Sequence, residues 1–152
     1  MNAPVPPAGR LHLVVGYDGS PPSTRALDGA VRLLSGRSGQ IVVMYVGHLS
    51  AADSMSPGAL AEMEESFSEI ARDLRAQAEE QLRGHEDRWV FEWRQGEIAR
   101  ELTGEATRLG EADPGDTVVL VVGSSSHAMH RVIGSVAVSL SRHSPVPLII
   151  VP

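Results

Sequence analysis

A chain of 152 residues, 42% hydrophobic and 21% charged, has the size and balance of one domain that buries its own core without staples. Its net charge of -6 argues against a nucleic-acid surface, and no apolar run approaches the ~20 residues of a membrane helix. Cysteine is absent, so there is no disulfide or thiol chemistry, and all 13 cations are arginine, which excludes lysine Schiff bases and the Walker-type phosphate loop.

Residues 1–9 are proline-rich and read as a disordered tail, without the basic-then-apolar layout of a secretory signal. The remaining span, 10–152, reads as the folded domain, with no internal repeat and the cytoplasm as its expected location. Residues 11–15 form a buried strand, broken by Gly16-Tyr17-Asp18-Gly19-Ser20. Ser20 can cap a helix whose first turn holds Pro21 and Pro22, where a missing amide costs nothing. Ala26, Leu27, Ala30, Val31 and Leu34 mark its apolar face, and Gly36 and Gly39 close it.

Residues 41–46 give the second buried strand. After a polar loop, Pro57 opens a long helix whose stripe of Leu60, Met63, Phe67, Ile70 and Leu74 reads as core packing, ended by Gly84. Trp89, Phe91 and Trp93 alternate with Val90 and Glu92, the pattern of a sheet edge with one wet face. Gly96 starts a third helix, carrying Ile98, Leu102, Ala106 and Leu109, which Gly110 is expected to end. The last third holds a strand at 118–122, Gly123-Ser124-Ser125-Ser126, a variable piece, Gly134-Ser135, a helix to His143 and a final strand, Leu148 to Val151.

Alternating strands and helices predict a doubly wound, five-stranded parallel sheet with helices on both faces, order 3-2-1-4-5. Its switch point lies between the first and fourth strands, where ligands bind beyond the carboxyl ends. The loops there are residues 16–20 and 123–134, so the Gly- and hydroxyl-rich positions converge on one crevice. A strand ending in glycine and serine before a helix opening on Gly-Ser suits an anion, because the first amides of a helix have no partner of their own. Ser135 is expected as the N-cap of that helix.

The phrases Val-Val-Gly-Tyr-Asp-Gly-Ser (14–20), Tyr45-Val46, Gly96-Glu97-Ile98, Val-Val-Gly-Ser, Gly-Ser-Val, Arg-His-Ser-Pro-Val-Pro and Leu-Ile-Ile-Val-Pro together resemble the universal stress protein family, nearly end to end. The family has ATP-binding and non-binding branches. In binders, an aspartate after the first strand faces the ribose, backbone at the end of the second meets adenine, and a Gly-x2-Gly-x9-Gly-Ser/Thr loop wraps the phosphates. The resemblance implies Asp18, Val46, Gly123, Gly134 and Ser135 for these roles, and ATP, ADP or AMP as the ligand; Gly16, Val122 and Val136 adjoin them, while Ser124, Ser125 and Ser126 can add hydroxyl donors and Arg131 a charge. Two departures stand out: Ser126 replaces the second loop glycine, and seven residues rather than nine precede Gly134. Two residues span at most ~7 Å of extended chain, comparable to one phosphoryl unit.

Each residue has a plainer role beside the functional one. Asp18 can simply close its own turn. His127 and His130 stand at i, i+3, but no third metal ligand is near and a solvated loop explains them; His143 suits a helix C-terminus. Gly123 to His127 lacks the last glycine of a nucleophile elbow, and no acid and histidine follow in hydrolase order. The expected function is a small nucleotide-binding regulator that is not an enzyme. The rival is a degenerate pocket in a protein acting through its surface and an unidentified protein partner. A slow ATPase ranks third, with neither a general base nor a metal carboxylate to name. Gly123→Val is expected to block the phosphate path, and the uncharged strand 148–151 to pair with its mate in a homodimer.

Overall fold

The computed structural model describes residues 9–48, 54–124 and 134–152. Five strands, β1 (Leu11–Gly16), β2 (Gly39–His48), β3 (Trp89–Gly96), β4 (Thr117–Gly123) and β5 (Leu148–Val151), form one parallel sheet in the order β3-β2-β1-β4-β5. Helices α1 (Pro21–Leu34), α2 (Pro57–Gln81), α3 (Ile98–Ala112) and α4 (Ser135–His143) connect them. This is the doubly wound topology that the alternation predicts.

Strand alternation divides the core into two layers. Leu13, Val15, Val43 and Val121 face α1 and α2, meeting Ala26, Leu27, Ala30, Leu74 and Ala78. Val14, Val42, Met44 and Leu120 face α3 and α4, meeting Ala99, Leu102, Ala106 and Leu140. The apolar runs of β1 and β4 are therefore solid because both faces are covered. β3 lies at an edge: Trp89, Phe91 and Trp93 pack into the first layer, while Val90 on the other face is 37% exposed.

Helix boundaries depart from the glycine signals at four glycines; one is Gly96, the last residue of β3, since α3 opens at Ile98 on its N-cap Glu97. α1 closes as read at Gly36, which follows the C-cap Ser35 at φ 71°, but Gly39 already belongs to β2. α2 ends at Gln81, while Gly84 (φ 91°) serves the turn beyond. α3 runs through Gly110 to Ala112, because an isolated glycine in the last turn costs only ~1 kcal/mol and need not stop a helix. The stripe read for α2 holds at Leu74, which is buried, and at Phe67, which packs against the core, and fails at Ile70. Its buried residues are Ala71, Leu74 and Ala78, and Ile70 is 43% exposed because each residue turns the helix ~100° and Ile70 precedes the buried Ala71.

Candidate functional site

A crevice of about 240 Å³ opens where β1 and β4 end and their connections diverge. Of the candidate site residues, Gly16, Asp18, Val46, Val122, Gly123, Gly134, Ser135 and Val136 line it. Ser124 is not among the lining residues; its amide donates to the Val151 carbonyl at 2.8 Å. Ser125, Ser126, Arg131, His127 and His130 lie outside the described residues.

Sequence reasoning missed the other walls. Met44, Ile98, Leu102 and Ala137 supply an apolar side, and Tyr17, Ser20, Pro22, Ser23 and Tyr45 complete the rest. Met44 and Leu102 carry no signal apart from the core periodicity they share, since both are also buried core residues.

Asp18 holds the turn that enters α1. Its Oδ1 accepts from the Ser20 amide at 3.0 Å and from the Ser20 hydroxyl. Ser20 is the N-cap of α1, its Oγ accepting weakly from the Ser23 amide at 3.4 Å. Burial pushes the Asp18 carboxyl up, but the hydroxyl and amide bonds from Ser20 outweigh it and leave the group below its usual value. The site therefore carries a fixed negative charge. Burial foremost, then that charge, raises the phenols of Tyr17 and Tyr45.

The helix starts facing the crevice are not equivalent. Pro21 and Pro22 at the start of α1 lack amides, and Ser20 occupies the next. The N-cap of α4 is Gly134, which corrects the expectation for Ser135, the first helical residue. No side chain among the described residues caps this end. α4 is thus the helix start with amides to offer an anion.

β2 offers a second set of backbone groups. The Met44 carbonyl accepts from the Tyr17 amide at 2.9 Å, so Met44 turns its polar groups toward β1. By strand alternation Val46 projects its N–H and C=O the same way, past the point where β1 leaves the sheet at Gly16.

Gly123 has a different reason from the one expected. A Cβ there would lie 2.3 Å from the Pro22 carbonyl oxygen. The close approach it permits is that of α1, so Gly123→Val would disrupt the fold before it tested any phosphate path.

A profile of the universal stress protein family matches residues 10–152. The chain belongs to the universal stress protein family. Its fold is shared with universal stress protein UspA from Lactobacillus plantarum (TM-score 0.71, 19% identity, covering 95% of this chain and 99% of that one). A family protein from Arabidopsis thaliana solved with AMP bound is also similar (TM-score 0.61, 14% identity, 93% and 90% coverage). So is a universal stress protein solved in complex with cAMP (TM-score 0.55, 23% identity, 95% and 98% coverage). No curated protein sequence matches this universal stress protein. Among its described residues no cluster of three or more His, Asp or Glu could hold a metal ion, and no helix is long and apolar enough to cross a membrane.

Proposed function

We propose that this universal stress protein is a cytoplasmic stress-response regulator that binds an adenine nucleotide in the crevice, without being an enzyme. The observation that carries the reading is the pairing, across one cavity, of Val46 backbone groups turned past the end of β1 with a start of α4 that no described side chain caps. Adenine edges present donors and acceptors, which a strand's N–H and C=O complement, and Met44, Ile98 and Leu102 give the ring an apolar slot. The ionised Asp18 accepts from ribose hydroxyls, and the amides at Ser135 and Val136 take a phosphate. AMP and cAMP in two structural relatives agree with this ligand class.

The phosphate loop is two residues short of the family pattern, so the terminal phosphate of ATP is poorly wrapped. AMP or ADP should bind at least as tightly as ATP by calorimetry. A preference for ATP above about tenfold, ~1.4 kcal/mol, would show that Ser126 and Arg131 compensate.

Asp18→Ala should weaken AMP by more than about tenfold. Its thermal unfolding must be followed alongside, because the carboxylate also closes its turn. Unchanged affinity in a folded variant would remove Asp18 from the site. The rival reading, a degenerate pocket in a protein acting through its dimer and partners, draws on Asp18 being already engaged by Ser20. Absence of adenine nucleotide from the denatured purified protein, together with no calorimetric heat, would select it.

A further inference from the structure

At the opposite end of the sheet from the crevice lies a second cavity, of about 250 Å³. Its floor is apolar: Leu34 and Ile41 are buried, and Val31 is half-buried. Among the described residues, the charged or titratable ones in its lining are all basic, namely Arg32, His85 and Arg88. In a chain of net charge -6 this is a local inversion of sign. Glu86, next to His85 in the chain, is not among the lining residues; its carboxylate accepts from the Gly84 amide at 2.8 Å.

The end of α1 also lies here, and exposed carbonyls at a helix C-terminus would repel an anion. They are largely occupied. The Ser35 amide donates to the Val31 and Arg32 carbonyls at 3.1 and 3.3 Å, and the Arg37 amide to Leu34 at 3.0 Å. The Arg88 guanidinium donates to the Arg37 carbonyl, which fixes its position and leaves most of its five N–H groups for another acceptor. Gly36, at φ 71°, turns the chain at the mouth, where a Cβ would meet nothing within 4 Å.

We propose that this cavity is a second small-molecule site, independent of the nucleotide crevice, which takes a compact carboxylate with an apolar body. The carboxylate sits between Arg32 and Arg88, whose planar forks match it, and the apolar body rests on Val31, Leu34 and Ile41.

Benzoate, its uncharged counterpart benzyl alcohol, and inorganic phosphate separate the two parts of the claim. In amide NMR spectra of the full chain, benzoate should shift Val31, Ser35 and Gly36 saturably, below ~20 mM. Benzyl alcohol and phosphate should each bind at least about fivefold more weakly, as should benzoate to Arg32→Gln. Ser35→Trp, which fills the cavity but keeps the backbone cap of α1, should abolish the shifts, and AMP should not displace benzoate. No saturation at these amides, parity of either control with benzoate, or shifts centred on Gly16 and Val46 would overturn the proposal. None of these outcomes depends on whether nucleotide binds.

Discussion

Beside Gly123 the space a side chain would need is taken by backbone, with the Pro22 carbonyl carbon only 2.4 Å from an added Cβ. Nothing flexible can yield, so the first turn of α1 must move. Gly123→Ala should destabilise by about 1–3 kcal/mol, the range of overpacked cores, read as a lower urea midpoint. An unchanged midpoint would show that α1 is not held there. Asp116 makes a different single-residue argument. Its carboxylate meets the His12 Nε2 at 2.7 Å and accepts from the Arg10 amide at 2.8 Å, tying the starts of β1 and β4 together. The His12 hydrogen bond first, then that of Arg10, holds its carboxyl below the usual carboxylate range. A lowered folded value stabilises the fold above the unfolded value and is lost as pH falls through the folded one. Asp116→Asn keeps one acceptor where the carboxylate serves both His12 and the Arg10 amide, so it lowers stability near neutral pH, but it cannot titrate and should flatten the fall of stability with acid below about pH 4. Urea unfolding at stepped pH checks this, and a slope equal to that of wild type would remove Asp116 from the acid response.

Among the elements, α2 shows why a stripe is not yet a core. It touches the sheet through Leu74 and Ala78 and rests on two glycines: a Cβ at Gly19 would lie 2.7 Å from Leu74, and one at Gly47 2.8 Å from the Phe67 ring. Gln81 ties its far end to the Thr24 carbonyl and the Asp28 carboxylate, each at 2.8 Å. Leu74→Ala should therefore cost about 2–5 kcal/mol. Ile70→Ala should stay within about 0.5 kcal/mol, although the same periodicity picks out both. Similar losses from both in chemical denaturation would restore the stripe as read from sequence. Periodicity located α2 but could not rank its residues, because it fixes a face only to within a turn. Elsewhere the signals were enough: β5 has the bounds read from sequence, since prolines flank it, and α4 ends at His143 as read. Gly110 misled because a helix held by Leu102 and Ala106 against the sheet tolerates a weak last turn. The site was half legible for a related reason. Glycines and hydroxyls at strand ends announce themselves, whereas Met44, Ile98 and Leu102 wear the pattern of the core.

For the molecule as a whole, the open question is what covers β5. It pairs with β4 on one side only, and all four of its residues are half-buried. Ile149 and Val151 lean on the α1 layer, and Leu148 and Ile150 on the layer of α3 and α4. The Leu120 amide donates to Pro147 and the Ser124 amide to Val151, so residues 147, 149 and 151 turn their polar backbone groups inward. By alternation, Leu148 and Ile150 turn theirs outward. Beyond them the edge is closed: Val146 is engaged by the Ser144 hydroxyl, and Pro152 has no amide and gives its carbonyl to Arg25 at 3.0 Å. A homodimer built on this edge is the proposal that fits. With antiparallel strands centred on Ile149, Leu148 of one copy faces Ile150 of the other, and the two-fold axis doubles the exchange to about four hydrogen bonds. At ~1 kcal/mol each these reach half of the ~8 kcal/mol that micromolar association needs. The rest must come from covering the β5 side chains and Val138 on α4, which is 36% exposed. Ile150→Pro removes an outward amide without touching the bonds to β4, so it should leave circular dichroism unchanged and convert the dimer to monomer by sedimentation. A wild-type chain that sediments as a monomer at about 50 μM, well above that micromolar range, would end the proposal.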